Sequence, residues 1–125
     1  MKMLIAVALG GALGAVARYK VSGLMVALMG HGFPWGTLVV NVLGSFLMGV
    51  LVEFGALKLN LSQEMRALLA VGFLGAFTTF STFALDVSVL TGRGETLHAG
   101  GYIAASVALS ILALFGGLWI VRVLL

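Results

Sequence analysis

Cysteine is absent from the 125-residue sequence. No disulfide, zinc–thiolate or iron–sulfur centre is therefore available, and cysteine usage says nothing about redox compartment. Proline occurs once, at Pro34. Charged residues make up only 9% of the chain, and the net charge is +3. A small, scattered surplus of that kind suits lipid headgroups and small anions as neighbours, not nucleic acid. Histidine occurs only as His31 and His98, both where loops or helix ends are expected. Neither G-x-S-x-G nor H-E-x-x-H is present. A buried hydroxyl would have no histidine at depth to activate it, so the chain is not expected to be an enzyme.

What is present is apolar. Hydrophobic residues make up 62% of the sequence, and the mean hydropathy is +1.21. A soluble domain of this length cannot hide so much apolar surface. The composition predicts an all-α, multi-pass membrane protein. A span needs roughly 20 apolar residues, so the length supports about four. They are expected at about 3–29, 36–57, 63–90 and 97–125, forming a single transmembrane domain over 1–125. The first fifteen residues resemble a signal peptide, but the apolar pattern continues towards Met29, which favours a retained first helix.

Small and polar residues punctuate the spans. Gly10 and Gly14 form a G-x-x-x-G spacing that favours close helix contact. Arg18 and Lys20 interrupt the first span. A basic residue there must snorkel, pair or face water, and Arg18 is also placed to concentrate anions at a pore mouth. The segment His31 to Gly36 is the first loop, with Trp35 suited to an interfacial belt. In the second span, Asn41, Gly44, Ser45 and Met48 share a helical face. Lys58 to Ser62 reads as a loop, and Ser62 as a helix N-cap. Thr91 to Glu95 is the third loop, with Thr96 as a candidate cap for the last span.

The least helix-like stretch at membrane depth is Gly72 to Phe83, GFLGAFTTFSTF. Four of its last six residues carry hydroxyls: Thr78, Thr79, Ser81 and Thr82. Phe77, Phe80 and Phe83 recur every third residue, which on a continuous helix lies near one side. Two readings stand. In one, the hydroxyls bond back to carbonyls a turn earlier and the glycines are packing contacts. In the other, the helix opens. Freed carbonyls bind a cation, hydroxyls donate to an anion, and the electropositive ring edges of Phe80 and Phe83 face it. Asn41 divides the same way, between interhelical glue and a pair of N–H donors for a dehydrating anion. Asp86 extends the Thr79–Thr82 face and is a candidate to pair with a basic residue, while Glu53 is expected to reach the interface.

Loop charges set no orientation. Lys2, Lys58, Arg66 and Arg122 fall on one side against Arg18, Lys20 and Arg93 on the other, four against three. So weak a bias allows insertion both ways, in which case two opposed copies can pair; the alternative is a single orientation fixed by helix hydrophobicity. A proton-coupled exporter of cationic compounds is the rival function for a small four-span chain. It needs an acidic residue in the middle of the membrane. The first span has none, and Glu53 and Asp86 lie towards helix ends.

The run G-T-L-V-V-N-V-L-G (Gly36 to Gly44), the later G-F-L-G-A-F-T-T-F-S-T-F and the early G-A-x-x-R (Gly14 to Arg18) together resemble the fluoride channels called Fluc or CrcB. The resemblance covers essentially the whole chain. It implies a fluoride-selective channel for passive efflux across the bacterial inner membrane, conferring fluoride resistance. It also implies an antiparallel, dual-topology homodimer of four-helix subunits, each with a broken third helix, enclosing two pores. Asn41, Phe80 and Phe83 match the fluoride-coordinating positions. Ser81 and Thr82 match a polar track, with Ser110 and Tyr102 as further members. Arg18 matches a vestibule arginine. The backbone carbonyls of Gly75 and Thr78 in both subunits match the holders of a central structural sodium ion. Asp86 departs from the pattern, standing where many members carry Glu.

Overall fold

The computed structural model describes residues 1–57 and 60–125. Lys58 and Leu59, from the expected second loop, lie outside the described residues. Helix α1 spans Lys2–Met29 and α2 spans Trp35–Leu57. Helix α3 covers 63–77 and is composite. Gln63–Arg66 leads into a wide-turned π-helical stretch, Ala67–Leu74, and then Gly75–Phe77. Helix α4 spans Phe80–Gly92 and continues the third span, and α5 spans Thr96–Leu124. No strand occurs among the described residues. All four spans, of 28, 23, 30 and 29 residues, are long and apolar enough to cross a bilayer.

Local chemistry sets the helix ends. Gly30 terminates α1 at φ 81°, a left-handed conformation that glycine adopts without a Cβ clash, while its N–H bonds the Val26 carbonyl at 2.8 Å. Ser62 caps α3, its hydroxyl accepting from the Met65 N–H at 3.1 Å. The expected cap at Thr96 does not form. Glu95 holds the N-cap position without a side-chain bond, and Thr96 is the first helical residue. Glu95 instead faces Arg93 at 3.6 Å and His98 at 3.9 Å.

Packing rests on backbone-to-backbone approach. The Gly10–Gly14 spacing meets the third span, where Gly10 lies against the Leu68 carbonyl and Gly14 against the Phe73 carbonyl. Gly72 answers from α3, where an added Cβ would sit 2.8 Å from the Val7 carbonyl. Helices α2 and α5 repeat the arrangement, with Gly49 against the Leu114 carbonyl and Gly117 against the Phe46 carbonyl. Small residues suit this solvent, because lipid gives helices no hydrophobic reason to associate and dispersion must supply it.

The buried core lies at the end of the bundle formed by the 30–34 connection. Leu38, Phe83, Leu90, Ala99 and Tyr102 pack there, with Phe33 and Trp35 against them. The Phe33 ring meets Tyr102 edge-on at 5.4 Å, and Phe83 meets Tyr102 at 5.2 Å. At the far end Arg122 grips Glu53 through two parallel bonds of 3.1 Å, tying α5 to α2. Glu53 is thus paired with Arg122 near the ends of both helices.

Neighbouring glycines in α5 separate packing from helix propensity. Gly117→Ala should destabilise the fold by ~1–3 kcal/mol through overpacking against the Phe46 carbonyl. Gly116→Ala, with open space around its Cα, should be neutral or slightly stabilising. Thermal unfolding in detergent followed by size exclusion checks this; equal midpoints for the two variants would refute the packing account.

Candidate functional site

The site begins with a gap in the third span. Thr78 has φ −89° and ψ 159°, and Thr79 has φ −155° and ψ 121°, so two extended residues separate α3 from α4. Opening a helix at membrane depth orphans backbone groups that lipid cannot satisfy. Asn41 of α2 supplies the remedy. Its Oδ1 accepts from the Thr79 N–H at 2.7 Å, and its Nδ2 donates to the Thr79 carbonyl at 3.0 Å. The amide side chain thus does for Thr79 what a neighbouring strand would do. Gly44, one helical turn on, lets the Thr78 methyl lie directly on α2.

The hydroxyls divide between the two readings. Thr78 bonds back to the Leu74 carbonyl at 2.9 Å, as a packing residue would. Thr79 does not. Its Oγ1 caps α4 by accepting from the Thr82 N–H at 3.1 Å, and it lies 3.3 Å from the Ser81 hydroxyl. These bonds redirect two helical donors. The N–H of Thr79 would serve the Gly75 carbonyl in a continuous helix but goes to Asn41. The N–H of Thr82 would serve the Thr78 carbonyl but goes to Thr79 Oγ1. The Ala76 carbonyl, between them, accepts from Arg18 Nε at 3.0 Å. Arg18 thus reaches from α1 to the interruption.

The three-residue phenylalanine spacing does not produce one face. The extended pair resets the helical phase between Phe77 and Phe80. Phe77 is buried and stacks on Phe73 at 5.8 Å. Phe80 is 77% exposed, the most outward-facing ring of the site, although 5.3 Å from buried Phe83.

Two cavities flank the gap. A groove of about 360 Å³ is lined by Asn41, Phe80, Phe83 and Ser110, and also by Ser45 and Ser106. A second cavity, of about 280 Å³, contains Thr82 and Asp86 near the 30–34 connection. Tyr102 lines neither cavity but touches one lining residue of each. It is fully buried, its ring touches Phe83, and its hydroxyl donates to Asp86 Oδ2 at 2.9 Å. Asp86 thus finds a phenol, with no basic side chain bonded to it among the described residues. Ser81 is exposed and lines neither cavity, and Gly75 is exposed and still helical, at φ −62° and ψ −37°.

Ser106 was not among the site residues expected from the sequence. Its hydroxyl is buried and, with that of Ser110, makes no hydrogen bond among the described residues. A buried hydroxyl without a partner is costly unless something outside the chain meets it. The signal was available: Tyr102, Ser106 and Ser110 recur every fourth residue and so line one stripe of α5. Thr37, buried in the second cavity, was missed for lack of any pattern.

Comparisons with known proteins give a family match and several similar relatives. A family model described as "CrcB-like protein, Camphor Resistance (CrcB)" matches residues 5–118. A protein of Rhizobium etli named fluoride-specific ion channel FluC is 56% identical over 118 residues, 94% of each chain. A Chelativorans protein of the same name is 55% identical over 125 residues, the full length of both. One from Rhodospirillum centenum is 52% identical over 122 residues, 98% of this chain and 97% of its own.

The Asn41 clamp predicts an amide-specific effect. Asn41→Ala should expose the Thr79 N–H and destabilise the fold by ~1–3 kcal/mol, the usual range for lost paired bonds. Asn41→Asp keeps the acceptor and should preserve most of the protection of that amide. Hydrogen exchange resolved to Thr79 checks both; equal exchange in Asn41→Ala and the parent chain would remove the clamp.

Proposed function

The chain belongs to the CrcB family, and from that premise we propose that it is a fluoride-selective channel that lets fluoride leave the cell passively and so confers resistance to it. The family is one of ion channels, not enzymes. The observation that carries the reading is the groove in which an amide, two unpartnered buried hydroxyls and two phenylalanine rings converge. Fluoride is small and strongly hydrated, so a path for it must replace water with close donors. Asn41 spends one N–H on the Thr79 carbonyl and keeps a second. Ser106 and Ser110 have hydroxyl protons to offer. The edges of Phe80 and Phe83 add weak positive potential. Thr82 and Ser81 extend the polar track in this proposal, and Tyr102 continues it from Phe83 to Asp86. Arg18 contributes positive potential beside the interruption.

The functional unit in this proposal is an antiparallel homodimer in the bacterial inner membrane, with two pores. Several features support it: the balanced loop charges, the outward Phe80, and a groove that one chain leaves open on its apolar flank. The sodium reading rests on donor chemistry. The carbonyls of Gly75 and Thr78 have lost their helical donors, and such oxygens suit a hard cation. Two carbonyls form only part of a coordination shell, and a second copy facing the first would double them. A sodium ion there would supply positive charge that holds the two interruptions together.

Liposomes containing the purified protein, with an ionophore clamping the voltage, test the function. Fluoride should leave quickly while chloride stays, with no proton or sodium gradient imposed. Release of neither ion, or release that strictly requires a gradient, would overturn the channel reading. In the same assay Phe80→Ile should lower fluoride flux by more than tenfold, on the order of 1.4 kcal/mol at the barrier, while the dimer persists on size exclusion. Unchanged flux would remove the ring-edge role.

A further inference from the structure

We propose that Arg93 sets the supply of anions at the Asp86 end of the pathway, by holding a compensating positive charge on the rim of that cavity; the inference rests on the channel reading above. The physical problem is the carboxylate. Asp86 and Thr82 line the same cavity of about 280 Å³. The Tyr102 hydroxyl gives Asp86 a hydrogen bond but no charge. An anion passing Thr82 therefore approaches a negative group, and like charges at a few ångströms oppose it strongly where water is scarce.

Arg93 lines this cavity too, and among the described residues it is the one permanently cationic side chain that does so. Two contacts orient it. Nη2 donates to the Gly32 carbonyl at 3.1 Å, and Glu95 Oε2 lies 3.6 Å away. Gly32 belongs to the connection that supplies His31 and Phe33 to the same cavity wall. Arg93 thus fastens the loop after α4 to the loop after α1 and keeps its guanidinium beside the opening. Its side chain is 43% exposed, so its field reaches the incoming solution and is open to screening by salt. Glu95 offsets part of this charge and is itself shared with His98 at 3.9 Å.

Two consequences separate the electrostatic role from a structural one. Removing the charge should slow fluoride at low ionic strength and matter little at high ionic strength. Removing Glu95 should act in the opposite direction. The experiment measures fluoride efflux from liposomes of neutral lipid in potassium gluconate, at about 0.01 M and about 1 M, where the screening lengths are about 30 Å and 3 Å. Arg93→Gln should be about two- to fivefold slower than the parent protein at low salt and approach it at high salt. Arg93→Lys, which keeps the charge, should stay near the parent rate, and Glu95→Gln should be faster at low salt. A conducting parent protein with Arg93→Gln unchanged at low salt would overturn this proposal alone. A deficit that persists at high salt, or that Arg93→Lys shares in full, would mean a latch without an electrostatic role and would also overturn it. A parent protein that releases no fluoride fails the channel reading first and this inference with it.

Discussion

A peptide group at membrane depth must find a partner, and two adjacent residues of this chain give up their helical ones. The reciprocal bonds between Asn41 and Thr79 make that possible. Without them the extended pair at Thr78 and Thr79 would leave backbone donors and acceptors facing hydrocarbon, at several kcal/mol each. With them, α3 and α4 can point their side chains independently. The Thr79 cap, the redirected donors and the outward turn of Phe80 all follow from that one interruption.

Close packing holds the interruption in place. Gly44 brings α2 to the Thr78 methyl, and Gly10, Gly14 and Gly72 bring α1 onto α3. The wide turns of Ala67–Leu74 adjoin that contact, and π-helical segments of this kind are often found near functional sites. Arg18 then inserts its side chain from α1 to satisfy the Ala76 carbonyl. Three spans therefore converge on a few residues, each satisfying a group that another has exposed. The fourth lines the groove from α5 with Ser106 and Ser110, and Tyr102 buttresses Phe83.

Much of this was legible beforehand. Apolar composition and run length predicted the four spans, because bilayer thickness leaves little freedom. The stretch from Thr78 to Phe83 announced itself as wrong for a lipid-facing helix, and Asn41 as the polar group on the facing span. Other features did not follow from local pattern. The phenylalanine spacing was read on a continuous helix, and the phase reset moved Phe77 into the core. No local pattern pairs Glu53 with Arg122, 69 residues away, which bonds it twice. Thr96 looked like a cap because residue preference cannot see that Glu95 takes the capping position.

The sequence by itself determined the solvent this protein lives in, the number of its spans and the place where one of them is disturbed. Those properties come from hydrophobicity and backbone chemistry, which act residue by residue along the chain. Tertiary structure alone decided how the disturbance is used. It assigned Thr78 to packing and Thr79 to capping, turned Phe80 outward while burying Phe83, and left Ser106 and Ser110 unpaired at one groove. The reason is that a hydroxyl or amide takes whichever partner lies within about 3 Å. Distances of that size between separate spans are set by how the helices pack.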